Sequence, residues 1–70
     1  MTESIYRVTQ VIGTSTQSWE DAARNAVETA ARTLRDLRVG EIEKLDLTIE
    51  DGRVVSYRAR VSISFKYEAE

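Results

Sequence analysis

Apolar and polar residues interleave from Ile5 to Ile12, a strand pattern that puts Tyr6, Val8 and Ile12 on one side and Ile5 and Val11 on the other. Gly13-Thr14-Ser15-Thr16-Gln17-Ser18 follows as a run of turn formers, read as turn and capping groups and not as a phosphate nest. Ser18, with Asp21 three positions on, predicts a helix cap and its returning acid. From Trp19 to about Leu37 the spacing changes to threes and fours through Ala23, Ala26, Val27, Ala30 and Leu34, which predicts one helix. Ala22, Ala23, Ala26, Ala30 and Ala31 give it a thin side on which a sheet can approach closely. On its solvent side Glu20 precedes Arg24, and Glu28 precedes Arg32, by four residues, ion pairs of about 0.2–0.5 kcal/mol each on an exposed helix.

Two further strands are predicted, Val39 to Ile49 and Val54 to Tyr67. The second alternates almost throughout, with Val55, Tyr57, Ala59, Val61, Ile63, Phe65 and Tyr67 inward and Ser56, Arg58, Arg60, Ser62, Ser64 and Lys66 outward. Such a strand extends over roughly 45 Å, longer than one helix covers, so its ends must curl or meet another subunit. Asp51-Gly52 marks the turn between the two. A two-residue turn would put Leu45, Leu47 and Ile49 on the face of Ser56 and Arg58. A three-residue loop, Asp51-Gly52-Arg53, restores an apolar face by pairing Ile49 with Val55, Leu47 with Tyr57 and Leu45 with Ala59, its turn type left open. The same register sets Asp46 against Arg58, Thr48 beside Ser56 and Lys44 beside Arg60 on the other face. It also sets Glu43 against Val61 and Glu41 against Ile63, a conflict that marks a bulge, a solvated strand end or a subunit contact.

Composition narrows the function. With 70 residues the chain has room for one domain, 1–70, and a core too small to be comfortable as a monomer. It contains neither Cys nor His, which removes disulfides, zinc fingers, thiol nucleophiles and imidazole bases, and leaves self-association as the means of stabilisation. No catalytic residue is assigned and the chain is read as a non-enzyme, since Glu41, Glu43 and Asp46 would need strongly perturbed acidities to act. A net charge of −2 with interspersed signs offers nothing to a nucleic acid. Met1-Thr2-Glu3-Ser4 carries neither the basic region nor the apolar core of a signal peptide, and no apolar run is long enough to span a membrane; the cytoplasm is the expected compartment.

The order β-α-β-β resembles the dodecins, small flavin-associated proteins. The similar strings are Tyr6-Arg7-Val8, Val11-Ile12-Gly13-Thr14-Ser15, the Trp19 to Leu37 helix with its Ala-Ala-Arg-Thr-Leu-Arg, Glu41-Ile42, Asp51-Gly52, and Val61-Ser62-Ile63-Ser64-Phe65-Lys66. They cover nearly the whole chain. The resemblance implies an α+β fold in which a three-stranded antiparallel sheet partly wraps one helix, assembled as a hollow homododecamer that binds or stores a small ligand.

In flavin-binding dodecins a Trp after the helix stacks on the isoalloxazine ring and a Gln on the last strand hydrogen-bonds to it. The positions similar to these, and to an Arg on the middle strand, are Val39, Arg58 and Asp46 here. Val39 has no π face, and losing an aromatic stack forfeits about 1–3 kcal/mol on the scale of base–aromatic stacking. Arg58 is the expected partner of Asp46, and Trp19 lies about a helix length from Val39. The chain is therefore expected to lack ordinary flavin binding, with FMN or riboflavin in a divergent pocket as one alternative. Calcium, or a purely structural assembly, is another, because Ser18-Trp19-Glu20, Arg38-Val39 and Tyr57-Arg58 resemble a dodecin-like subgroup with a calcium-binding relative. No cofactor is certain and no metal ligand set can be assigned, since Asp51-Gly52 lacks the oxygen ligands of an EF-hand loop.

Overall fold

The computed structural model describes residues 5–66, so Met1 to Ser4 and Tyr67, named above, lie outside the described residues. Strand β1 spans Tyr6–Ser15, helix α1 Trp19–Ala30, β2 Leu37–Glu50 and β3 Arg53–Lys66. β3 is central, antiparallel to both neighbours, in the order β1-β3-β2, and α1 packs across one face. The strict alternation of β3 explains its position. Ala59, Val61 and Ile63 point under the helix and are 0%, 1% and 1% exposed, and with Ala22 and Ala26 they form the buried core.

The thin side of the helix meets the sheet at Gly13. A Cβ at that position would lie 2.1 Å from the Ala22 carbonyl oxygen and 2.8 Å from both the Ala26 Cβ and backbone nitrogen. Gly13, expected in a turn, is therefore strand, and β1 continues to Ser15 because the helix needs a residue without a side chain beneath it. The turn begins at Thr16. The buried Ser15 hydroxyl accepts the backbone N–H groups of Gln17 and Ser18 and donates to the Asp21 carboxylate at 2.8 Å. Ser18 caps the helix by accepting the Asp21 N–H at 3.0 Å. The acid thus returns to Ser15 instead of to the cap's own N–H.

The helix is shorter than its spacing suggested. Ala31 caps it, and Arg32, Thr33 and Leu34 close one more tight turn through bonds to Thr29 and Ala30 carbonyls. Asp36 then turns the chain with φ of 58°, and Leu37 reaches the core as the first residue of β2. Leu34 and Leu37 keep helical spacing by coincidence, since tertiary packing decides where the apolar face ends. Arg32 consequently falls beyond the helix, and Arg24 pairs with Asp21 at 3.4 Å instead of with Glu20.

The hairpin register holds through its middle: Asp46 opposes Arg58, Leu47 Tyr57, Leu45 Ala59, Thr48 Ser56 and Lys44 Arg60. At the tip the expected three-residue loop is corrected. Glu50 pairs with Arg53 and Ile49 with Val54, leaving a two-residue turn. Asp51 and Gly52, at φ of 52° and 75°, supply the two positive values of a type I′ turn. Parity survives because Val55 is bulged out between Val54 and Ser56. A second bulge at Glu43 resolves the charge conflict: Ile42 opposes Val61, Glu41 opposes Ser62, and Gly40 opposes Ile63. A third shift lies between Leu37 and Val39.

β2 and β3, at 14 residues each, outrun the 12-residue helix. Among the described residues eleven large apolar side chains are exposed, including Val8, Ile42, Leu45, Ile49 and Val54. That outer apolar surface exceeds the five-residue core and is characteristic of a subunit that associates with copies of itself.

Candidate functional site

The sheet face turned away from α1 carries most of the chain's convergent polar groups. Across its centre Arg58 of β3 donates from Nε to Asp46 Oδ1 at 2.7 Å and from Nη2 to Oδ2 at 2.9 Å, a two-pronged ion pair that uses both carboxylate oxygens. The side chains of Arg58 and Asp46 are 37% and 51% exposed. The hydrogen bond from Arg58, reinforced by the charges of Arg58 and Arg60, holds the Asp46 carboxyl below the usual carboxylate range, and Asp46 in turn raises Arg58. On the helix side of the same strand, the Trp19 indole N–H donates to the Asp46 carbonyl at 3.0 Å and its ring meets Tyr57 edge-on at 5.3 Å. Residue 46 is therefore held through its backbone from one face and through its side chain from the other.

Val39 stands at the far end. It opposes Ser64, whose hydroxyl donates to the Val39 carbonyl at 3.4 Å, and it is 62% exposed. Ser64 lies six residues along β3 from Arg58, a separation of about 20 Å at strand rise. The three candidate positions share one face of the sheet, but only Asp46 and Arg58 meet within one chain.

Between these ends is a polar chain that the sequence reading missed. Gln10 of β1 donates to Ser62 of β3 at 3.1 Å, and Ser62 donates to Glu43 of β2 at 2.8 Å, linking all three strands. The bulge turns Glu43 toward Ser62, so a register without it could not reveal the contact. Lys44 and Arg60 stand directly opposite each other beside this chain. Among the described residues no group of three or more acidic side chains is placed to hold a metal ion, and no helix is long and apolar enough to cross a membrane.

The family model for dodecins matches residues 5–68. The chain belongs to the dodecin family. Its similarity to the calcium dodecin of Mycobacterium tuberculosis is 38% identity over 63 residues, 90% of this chain and 89% of that protein. It is 30% identical to the dodecin of Thermus thermophilus over 64 residues, 91% of this chain and 93% of that one. The solved dodecin of Streptomyces coelicolor superposes with a TM-score of 0.92 at 38% identity, with both chains fully covered. The β-α-β-β architecture is thus the dodecin fold, and family membership together with the exposed apolar surface implies a homo-oligomeric dodecin.

Proposed function

We propose that this chain forms a dodecameric shell that binds or stores a small ligand at contacts between copies, and that ordinary isoalloxazine stacking is not its mode of binding. The observation that carries the reading is the Asp46–Arg58 pair. Both Asp46 oxygens and two Arg58 donors are committed to each other at 2.7 and 2.9 Å, with Arg58 at the position that resembles the ring-bonding Gln of flavin-binding relatives. Val39, at the stacking position, offers an exposed aliphatic side chain and no π face. A non-enzymatic role in the cytoplasm fits a chain without His or Cys.

Riboflavin titration tests this reading. Little quenching of flavin fluorescence is expected, and the paired substitution Val39→Trp with Arg58→Gln should recover binding. Quenching with a dissociation constant below about 1 μM for the unaltered protein corresponds to more than about 8 kcal/mol, hence a formed flavin pocket, and would refute the reading.

Calcium is the second reading, favoured by the identity of 38% to a calcium dodecin. Since no three-acid group lies among the described residues, such a site would draw carboxylates from outside them or from neighbouring copies. Calorimetric titration of the assembled, chelator-treated protein with calcium distinguishes it: saturable heat supports this reading, and none rejects it.

A further inference from the structure

Helix α1 lies over β1 and β3 and scarcely reaches β2, so every residue of β2 except Leu37 and Thr48 is exposed. The helix-facing side of that strand is nevertheless apolar. Ile42 opposes Val61 and Leu45 opposes Ala59, two core residues, while Leu47 opposes Tyr57 and Ile49 opposes Val54. The bulge at Glu43 keeps Ile42 in step with the other three, and the register sends Lys44, Asp46 and Thr48 to the opposite face. An uncharged strip of about 20 Å results, its side chains between 38% and 62% exposed.

The two ends of the strip differ. At one end Trp19, Glu20, Ala23, Ile42 and Leu45 line a cleft of about 360 Å³. At the other, Ile49 and Val54 stand beyond the last residue of β3 that β1 covers. A surface with a hollow at one end and a projecting side chain at the other complements itself about a two-fold axis. We infer that the strip is a two-fold contact with a second copy, the two β2 strands antiparallel about an axis between Leu45 and Leu47. Leu45 of each copy then lies against Leu47 of the other, and Ile49 of each enters the cleft of the other. The contact rests on the assembly reading above and names the face that serves it. Ile42, Leu45, Leu47, Ile49 and Val54 expose roughly 500 Å² in one copy, so reciprocal cover removes on the order of 1,000 Å², the extent a specific interface needs. The strip carries no charge, so pairing it with itself strands no ion away from water. A small apolar ligand in the cleft would leave Ile49 and Val54 in water.

Gel filtration with light scattering and circular dichroism tests the contact. Leu45→Lys with Leu47→Lys, and separately Leu45→Glu with Leu47→Glu, should each lower the assembled mass, since like charges then meet across the axis. Mixing the two variants in equal amounts should restore it, because the added ammonium groups of one copy face the added carboxylates of the other. Glu28→Lys, on the exposed helix face, should leave the mass unchanged. Ile49→Ala removes atoms that have no place in the buried core, and it should raise the dissociation constant of the assembly about tenfold or more even where the charged chains fail to fold. Unaltered protein that is monomeric would remove the shell and this contact with it. With the unaltered protein assembled, three results would each overturn this contact alone: unchanged mass in both charged variants, an unchanged dissociation constant in Ile49→Ala, or charged variants that stay apart on mixing.

Discussion

Replacing Gly13 with Ala adds one methyl group at the tightest point of the fold. The added Cβ would sit 2.1 Å from the Ala22 carbonyl oxygen and 2.8 Å from Ala26 Cβ and N, well inside van der Waals separation. Each of those atoms is backbone or the first side-chain carbon of a helix residue, so none can swing aside. Relief requires α1 to lift from β1, opening the contact of Ala22 and Ala26 with Ala59, Val61 and Ile63, the whole of the buried core. Overpacking ordinarily costs about 1–3 kcal/mol, and a rigid clash on three atoms belongs at or above the top of that range. A chain of 70 residues has only about 4–10 kcal/mol of stability to lose, so Gly13→Ala should be severely destabilised or fail to fold. Gly40→Ala is the matched control. Its Cβ meets only Val61 Cγ1 at 3.4 Å and Val27 Cγ2 at 3.5 Å, ordinary contacts, and the expected change is within about 1 kcal/mol. Denaturant titration followed by circular dichroism, at one fixed protein concentration, compares the two. Equal stability of Gly13→Ala and Gly40→Ala would refute the close-approach argument.

Two further substitutions probe the loop and the ion pair. Ser15→Ala leaves the Gln17 and Ser18 N–H groups and the Asp21 carboxylate without their hydroxyl partner and should cost about 1–3 kcal/mol by chemical denaturation, whereas an unchanged midpoint would show that water replaces the hydroxyl. The coupling between Asp46→Asn and Arg58→Gln in a double-mutant cycle should follow the depressed acidity of Asp46: fully present above the unfolded value of 3.8 and lost as pH falls through the lower folded value. Coupling that disappears between about pH 7 and about pH 5, or that grows on acidification, would contradict the sign.

Much of the fold was legible because two periodicities dominate it. The alternation along Val54 to Phe65 placed Ala59, Val61 and Ile63 in the core, and the Ser18-Trp19 start of the helix followed from capping chemistry. What escaped depended on partners distant in sequence. Gly13 resembles a turn residue until the helix it underlies is known. Leu37 continues the helical spacing and yet begins a strand. Parity alone rejected a two-residue turn at Asp51-Gly52, because the bulge at Val55 that compensates for it leaves no mark in local composition. The candidate site divides in the same way. Asp46 and Arg58 followed from register, a local property of a hairpin. The Gln10–Ser62–Glu43 chain needed the order β1-β3-β2 and the Glu43 bulge together.

The buried core is too small for the exposed apolar surface around it, so the folded chain depends on assembly. Light scattering coupled to gel filtration, with circular dichroism on the same peak at micromolar concentration, tests it most directly. The account predicts folded protein at the mass of a dodecamer and no folded species at the single-chain mass of 8.0 kDa. A well-folded monomer at 8.0 kDa would contradict it, and a folded dimer would preserve the domain while removing the shell.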